Sequence, residues 1–433
     1  MFKRIAECFK TKEVRVKILI TLLLLLVFRV GCWLPIPGIN TSTFTFKDIT
    51  EKNSFLSLLS SINGGSLANG AFLALGVSPY ISASIIIQLL SIAIPSWQRL
   101  SKEGEEGRKK LSRYTRIAAL VLALAQAIGI VVGFGDVIQA NMLWGGAPQW
   151  TTAIVVVLVL VAGAMFTVWL GERITELGIG NGLSLLIFVG ILSSAGMEIL
   201  RNVESIKDGK LNGLWTLLIF LAAVIVIFAL IVFVDGAERR VPVQYAKQMK
   251  GRKMYGGQNT NIPIRVNGSG VMPIIFASAL LTFPQMIMSI FWPNSNAMAW
   301  YNQWMGTGSW PYIVVSSLLI LFFSYFYAQI TFNPDDISKQ IQQNGGFIPG
   351  IRPGKPTSDY LRKISNRIIL FGAIFLAFIN LVPSLVFKGI SGNSTLVSAF
   401  SATGLLIVVS VALEFDKQLE AQLLMRNYRG FLK

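Results

Sequence analysis

Apolar residues are concentrated in long runs that alternate with short polar or charged segments along the whole chain. A helix that crosses the hydrocarbon core of a bilayer needs about 20 predominantly apolar residues. Ten runs approach this length, alone or with their flanking residues, and each predicts a transmembrane helix. The predicted spans are residues 16–33, 67–94, 117–132, 152–170, 183–195, 214–234, 271–292, 312–330, 368–386 and 396–415.

The composition is typical of a multi-pass membrane protein, because 53% of the 433 residues are hydrophobic and only 14% are charged. The basic N-terminus continues into the first apolar run without a cleavage pattern, so we expect that run to be a retained span. The sequence has no histidine, which removes the commonest general base and metal ligand. Cys8 and Cys32 lie at opposite ends of the first span, too far apart for a disulfide. We therefore expect no enzymatic activity, no metal and no cofactor.

Lysines and arginines are distributed unevenly between the predicted loops. Of the 38, 31 lie in the two termini and in the loops on the same predicted side of the membrane. The positive-inside rule assigns that side to the cytoplasm, together with both termini. This asymmetry accounts for most of the net charge of +17, and no DNA partner is expected. Arg29 lies near the outer end of the first span, where we interpret it as extending to the membrane interface rather than serving an ion relay.

The stretch 54–95 is interrupted in its middle. Residues 54–62 are apolar but too short to cross a bilayer, and the sequence NGGS at 63–66 precedes a longer apolar helix predicted over about 67–94. Irregular backbone at membrane depth is tolerated only inside protein or beside a water-filled cavity. Two interpretations stay open. Residues 54–62 form either a re-entrant helix folded into a cavity or an amphipathic helix on the membrane surface.

The second and seventh predicted spans begin alike. The sequences GVSPYISAS at 76–84 and GVMPIIFAS at 270–278 are identical at six of nine positions. They occupy equivalent places in two groups of five spans, and an odd number of spans per group places the groups in opposite orientations. This pattern predicts an inverted repeat with a functional site between its halves.

Two predicted cytoplasmic loops, residues 235–269 and 331–366, are long, basic and rich in glycine and proline. They are interpreted either as ordered docking loops or as solvated positive charge. The sequence GIRPGKPT at 350–357 looks like a phosphate-binding loop, but it is one residue short and no strand is predicted before it, so we reject nucleotide binding. The span interiors hold almost no ionisable residues, which argues against a secondary transporter and an intramembrane protease.

Four motifs taken together resemble the SecY family, whose members are pore-forming subunits of the Sec protein translocase. They are PIPGI at 35–39, PYISASII at 79–86, GIGNG at 178–182 and GGFIPGIRPG at 345–354. The resemblance runs essentially from end to end. It implies an all-α multi-pass membrane protein with ten transmembrane helices in two inverted five-helix halves and a broken re-entrant plug helix. The implied parts are a first half at 1–212, a second half at 213–415 and a cytoplasmic tail at 416–433.

The resemblance also implies functional residues. A pore ring of apolar side chains falls on Val77, Ile81, Leu183, Ile187, Ile275 and Ile407. The plug corresponds to residues 55–66, including Phe55, Leu56, Leu59, Ile62, Gly64 and Gly65. A lateral gate falls on Ser82 and Phe283, and partner-docking positions fall on Arg252 and Arg352. Spacing supports the ring, because two of its pairs are four residues apart and share a helix face. Ordinary packing within the helix bundle is the alternative for each ring residue.

The implied function is that of a passive gated conduit in the bacterial plasma membrane. It conducts secretory polypeptides across the membrane and releases membrane helices sideways into it. The partners implied are the small membrane subunits SecE and SecG, the motor ATPase SecA, the ribosome, polypeptides with signal sequences, and membrane lipid. An inverted-repeat secondary transporter is the alternative function.

Overall fold

A computed structural model describes residues 12–37, 60, 63–133, 149–207, 211–245, 248–250, 253–255, 259–268, 270, 272–291, 295–306, 309–390 and 402–430. Thirteen helices are formed within these ranges. They are α1 (Lys12–Gly31), α2 (Ser78–Ala93), α3 (Pro95–Lys102), α4 (Glu105–Gly133), α5 (Gln149–Leu177), α6 (Gly182–Lys207), α7 (Leu211–Asp235), α8 (Met272–Phe291), α9 (Asn296–Met305), α10 (Trp310–Thr331), α11 (Pro334–Gln343), α12 (Lys355–Ile390) and α13 (Ala402–Gly430). The strands are β1 (Glu238–Tyr245), β2 (Gln248–Lys250), β3 (Lys253–Tyr255), β4 (Asn259–Arg265) and β5 (Gly346–Phe347).

Each of the ten predicted spans overlaps one of these helices, namely α1, α2, α4 to α8, α10, α12 and α13. Among the described residues, four helical stretches are long and apolar enough to cross a membrane on their own. They are Glu105–Val132, Trp150–Leu177, Trp310–Gln343 and Lys355–Val382. The helical multi-pass architecture therefore agrees with the hydropathy pattern, and the number of ten spans stays a prediction.

The predicted helix over 67–94 is wrong in its first third. Helix α2 begins at Ser78, and residues 63–77 form consecutive turns. Glycines at 64, 65, 70 and 76 have positive φ, a backbone conformation that glycine adopts without steric cost. Pro79 stands in the first turn of α2, where its missing N–H is no loss. The helix ends before Pro95, because the residue before a proline prefers the extended conformation that Ile94 adopts.

The two segments with similar sequences also begin their helices alike. Gly76 and Gly270 have φ of 52° and 62°, and each lies two residues before the start of a helix, at Ser78 and Met272. A positive φ at this point breaks any preceding helix and redirects the chain. The local structure therefore supports the internal repeat inferred from the sequence.

The described parts of the two long loops contain regular secondary structure, in agreement with the interpretation that they are ordered. In the first, β1 pairs with β4 in antiparallel register, and β2 pairs with β3. In the second, helix α11 and strand β5 precede α12, which begins at Lys355 and includes the last part of the loop predicted over 331–366. Pairing of β5 with β1 joins the two loops in one sheet of order β4-β1-β5. No strand was predicted in either loop.

The chain divides into two compact units. The first comprises Met1–Leu217, Ala279–Ser309 and Ser391–Lys433. Within it, α2, α4, α5 and α6 pack in sequence order, α1 contacts α5, and α13 contacts α6. Its main core joins residues from the turns before α2 to the inner faces of α4 and α5. That core includes Leu67, Leu75, Ala123, Ala127, Val156 and Leu160.

The second unit comprises Leu218–Ser278 and Trp310–Ile390. Helices α10 and α12 pack along each other, and the three-stranded sheet packs with α11 and the start of α12. The sheet side has its own core, made of Val241, Val243, Ile264, Ile341, Ile348 and Leu361. Full burial of such a side chain contributes about 1.5–3 kcal/mol. This core explains why the described parts of the two basic loops that contribute to it hold a defined conformation.

Candidate functional site

Residues 63–77, here called the turn segment, form irregular backbone that is buried among helices of the first unit. Asn63 Nδ2 donates to Ala74 O at 2.9 Å, and Ser66 Oγ donates to Leu73 O at 3.1 Å. Both side chains are buried. Buried backbone polar groups need hydrogen-bond partners, and here polar side chains supply what a helix would otherwise provide.

The turn segment is also tied to the chain that follows α1. Ile36 N donates to Gly70 O at 2.9 Å, and Phe72 N donates to Leu34 O at 2.7 Å. On the other side, a Cβ added to Gly163 of α5 would lie 2.1 Å from Phe72 O, so only glycine fits there. The segment is thus held between α1 and α5. The irregular backbone of residues 63–77 therefore lies inside protein, whereas residues 54–62, for which two interpretations stayed open, lie outside the described residues except for Ser60.

Two of the expected ring residues lie where the turn segment meets α2. Val77 is 2% exposed and precedes the first residue of the helix. Ile81 N donates to Val77 O at 3.1 Å, which places the two residues one helical turn apart, as their spacing predicted. Ile81 is half-buried.

The GIGNG motif starts helix α6. Asn181 Oδ1 accepts hydrogen bonds from the backbone N–H groups of Leu183 and Ser184, at 3.2 and 3.4 Å, and so caps the helix. This cap fixes the position of Leu183 at the start of α6. A Cβ added to Gly171 of α5 would lie 2.6 Å from Leu183 Cδ2. Leu183 therefore packs against α5, which supports the packing alternative for this one ring position.

The other three expected ring residues lie on three different helices. Ile187 is buried on α6, and Ile407 is 4% exposed on α13. Ile275 lies on α8, in the second unit, and is half-buried. Helices α6 and α13 pack together, which brings two ring-bearing helices into contact within the first unit. The complete ring stays a prediction.

Only part of the expected plug is described. Phe55, Leu56, Leu59 and Ile62 lie outside the described residues. Gly64 and Gly65 both have positive φ, at 72° and 79°. A Cβ on Gly65 would have nothing within 4 Å, whereas one on Gly64 would meet Arg29 Nη1 at 2.9 Å. The two glycines expected in the plug therefore differ in how closely they are packed.

The expected lateral-gate residues lie on α2 and α8. Ser82 is half-buried, and Phe283 is 41% exposed. Pro284 stands inside α8 next to Phe283 and interrupts the hydrogen-bond ladder of that helix. The adjacency of Ser82 and Phe283 stays a prediction.

Of the two expected docking arginines, Arg252 lies outside the described residues and Arg352 lies in an exposed turn between β5 and α12. The turn is held by side chains on both sides. Thr357 Oγ1 donates to Arg352 O at 2.8 Å, and Ser338 Oγ of α11 donates to Gly354 O at 2.7 Å. Gly354 has a φ of 96°, which ends the turn directly before α12. Arg352 is thus presented on rigid backbone.

Asp335 joins the starts of α11 and α12 beneath this turn. Its carboxylate accepts hydrogen bonds from Ser358 Oγ and from Arg362 Nη2, the latter at 2.8 Å. The Ser358 hydrogen bond lowers the pKa of Asp335, and the charge of Arg362 lowers it further. The ionised Asp335 carboxylate therefore stabilises the folded chain. This contribution is fully present above the ordinary carboxyl pKa and is lost as the pH falls through the lowered pKa of Asp335. Asn333 caps α11 by accepting from Asp335 N at 3.1 Å.

Sequence reasoning did not identify Asn63, Ser66 or Arg29 as structural partners of the turn segment. Arg29 does not simply extend to the interface. Its Nη1 donates to Gly64 O at 3.0 Å. One feature of the sequence could have revealed these partners. Polar side chains stand beside glycines in an otherwise apolar stretch, and this combination indicates irregular backbone that needs side-chain hydrogen bonds.

Comparison with solved structures identifies the fold of the chain. The chain matches a structure described as that of a protein-conducting channel, with a TM-score of 0.66, 17% identity, and coverage of 94% of this chain and 92% of the other. It also matches Sec61 in the canine ribosome-channel complex of the endoplasmic reticulum, with a TM-score of 0.63, 16% identity and the same coverage. The chain therefore has the fold of the protein-conducting channels.

Sequence comparison identifies the family. The SecY family model matches residues 71–415. The protein translocase subunit SecY of Mycobacterium bovis is 42% identical over 447 aligned positions, which cover all of both chains. That of Halalkalibacterium halodurans is 39% identical over 439, again with full coverage. The chain belongs to the SecY family. The family resemblance and the helical multi-pass membrane fold are thus confirmed, and the family is one of channel subunits rather than enzymes.

Proposed function

We propose that this chain is the central channel subunit of a protein translocase, a passive gated conduit for polypeptides across the plasma membrane and sideways into it. The observation that carries the proposal is the end-to-end match to curated translocase subunits. The buried turn segment supports it, because irregular backbone at membrane depth is stable only inside protein or beside an aqueous cavity. The secondary-transporter alternative has no support among the relatives.

In this proposal the apolar side chains of the pore ring close the channel to ions, and no charged side chain is needed. An apolar constriction blocks ions because it does not hold a continuous water column. It also accommodates any polypeptide sequence, since it offers no specific hydrogen bonds. Val77 and Ile407 are buried apolar residues, as such a constriction requires. The plug at 55–66 covers the outer side of the ring, and the gate at Ser82 and Phe283 opens to lipid.

The proposed partners are SecE, SecG, SecA, the ribosome and polypeptides with signal sequences. One structural relative is a ribosome-bound Sec61 complex, and ribosome docking would use positive loop charge against RNA phosphate. The exposed Arg352 turn is suited to this role. In the proposed membrane orientation, the cytoplasm contains both termini and the loops at 235–269 and 331–366.

Reconstitution tests the proposal. The full chain with its small subunits, placed in vesicles with SecA, ATP and a signal-bearing preprotein, should protect the preprotein from external protease. A matched preprotein without its signal sequence should stay exposed. Solute uptake without preprotein protection would favour the transporter alternative and contradict the proposal.

A disulfide tests the lateral gate. The double variant Ser82→Cys, Phe283→Cys should form a crosslink on oxidation and lose translocation, and reduction should restore it. A disulfide requires Cα atoms within about 7 Å of each other, so its formation measures the proposed adjacency directly. Phe283 is exposed and its replacement should cost little stability. If both cysteines react with a thiol reagent but never crosslink, the gate lies elsewhere.

Thiol labelling tests the orientation. Single cysteines at Lys109 and Arg352, both exposed, should be protected in intact cells from a membrane-impermeant reagent, and a cysteine at Lys207 should react. The reason is the uneven loop charge, which places the first two positions inside. Labelling of the Arg352 position from outside would reverse the topology.

A further inference from the structure

The outer end of α1 holds two consecutive carbonyl groups of the turn segment. Arg29 Nη1 donates to Gly64 O at 3.0 Å. Cys32 Sγ lies 3.8 Å from Asn63 O, in position to donate a weak hydrogen bond. Cys32 is 0% exposed, and this contact places its thiol against the turn segment. One helix end thus binds the backbone at the point where the proposed plug joins the turn segment.

The Arg29 guanidinium is itself fixed on its other side. Its Cζ lies 5.1 Å from the centroid of the Trp33 ring, within the range of a cation–π contact. Trp33 is largely exposed, as expected for an aromatic residue at the membrane interface. The guanidinium therefore lies between an interfacial ring and a buried backbone carbonyl. This geometry pre-organises its hydrogen bond and reduces the entropy lost in forming it.

Gly64 is closely packed against this arginine. A Cβ at position 64 would lie 2.9 Å from Arg29 Nη1 and 3.3 Å from Gly190 Cα on α6. Its carbonyl belongs to irregular backbone among helices, where an unpaired carbonyl is costly and a charged donor makes one of the stronger hydrogen bonds. Gly64 is therefore held between α1 and α6, while its neighbour Gly65 has open space around it.

We propose that Arg29 is a positioning residue that clamps the turn segment in the resting channel, with Trp33 orienting its guanidinium and Cys32 lying beneath the clamped backbone. The proposal rests on the proposed channel function. It assigns a role in channel closure to a charged residue at the end of the first span. It also means that Gly64 is a fixed point of the plug connection.

The natural Cys32 serves as the reporter of the clamp. The full chain with Cys8→Ser, together with its small subunits in lipid nanodiscs, leaves Cys32 as the single thiol of this chain. Its alkylation rate with a maleimide measures how often the turn segment lifts from α1. Arg29→Gln should raise this rate about tenfold to a hundredfold, because it leaves the Gly64 carbonyl without its charged donor. Arg29→Lys retains one charged donor and should give an intermediate rate.

A matched control lies on the same helix. Arg15 is exposed near the other end of α1, so Arg15→Gln removes the same charge without touching the turn segment, and the Cys32 rate should stay unchanged. If Arg29→Gln leaves the rate within about twofold of its parent, the clamp does not exist. General loosening is tested with Ala373→Cys in a Cys32→Ser, Cys8→Ser chain, because Ala373 is 1% exposed on α12 and lies outside the core that the turn segment shares with α4 and α5. Equal gains in reactivity at both positions would show unfolding and overturn the proposal.

Ion conductance distinguishes the clamp from the function on which it rests. Resting conductance of reconstituted Arg29→Gln channels should exceed that of Arg15→Gln channels if the clamp positions the closed state. A faster Cys32 reaction with unchanged conductance would overturn the positioning role. The alkylation measurement needs no preprotein, so a failed translocation assay would contradict the proposed function and leave the clamp result standing.

Discussion

Replacing Ile407 with asparagine is expected to raise the resting ion conductance of the channel and to permit export of a preprotein with a defective signal sequence. Ile407 is 4% exposed, so the asparagine amide would enter an apolar environment. Burying an unpaired amide costs about 1–3 kcal/mol in the closed state, whereas a hydrated open state does not bear this cost. The equilibrium should therefore shift toward opening by about one to two powers of ten.

Two control variants separate gating from packing. Ile407→Leu keeps the side chain apolar and should leave conductance and export unchanged. Val409 lies on the same helix and is fully buried but is not an expected ring residue, so Val409→Asn should lower thermal stability without raising conductance. Ile81→Asn on α2 should reproduce the Ile407→Asn phenotype. If asparagine and leucine behave alike at Ile407, and asparagine has no effect at Ile81, these residues serve packing alone.

The second large effect is expected at the cytoplasmic turn. Arg352→Glu should weaken ribosome binding strongly while the protein still inserts and folds, because exposed loop charges affect stability little but direct docking. An arginine that contacts one phosphate also contributes to the salt dependence of binding, and its loss should reduce the slope of log affinity against log salt by about 1. Sedimentation of ribosomes with reconstituted channels over a salt series measures both quantities.

The turn offers a matched pair of controls. Arg352→Lys keeps the charge and should retain most of the affinity and the salt slope. Thr357→Val removes the hydrogen bond that holds the Arg352 carbonyl, so it should weaken binding while leaving the salt slope unchanged. A folded Arg352→Glu protein that binds ribosomes with unaltered affinity would show that Arg352 is not a docking residue, and a misfolded one would contradict the expectation that its charge affects stability little.

Hydropathy predicted the positions of the long apolar helices well, because a stretch such as α5 has no other way to satisfy its backbone in lipid. It failed over residues 67–77, where apolar composition hides a chain of turns. The relevant information was the placement of Gly70 and Gly76 before Pro79, since positive φ at a glycine and a proline in the first turn together mark a helix start.

Contacts between distant residues were beyond sequence reasoning. The hydrogen bond from Arg29 to the Gly64 carbonyl joins positions 35 residues apart, and no local sequence pattern specifies it. The sheet in the first long loop was missed for another reason. Val241 and Val243 are buried on either side of an exposed proline, a strand pattern too short to stand out. Its stability comes from pairing with β4 and from the core shared with α11.

The continuity of α12 has a mechanical consequence. The stretch Lys355–Val382 is an uninterrupted helix of 28 residues, about 42 Å long at 1.5 Å per residue. It begins three residues after Arg352 and extends into the apolar part of the chain. A helix of this length behaves as a lever arm, so a tilt of about 5° applied at the turn displaces its far end by about 4 Å. A partner that pushes on Arg352 therefore moves atoms at membrane depth without any rearrangement between the two points.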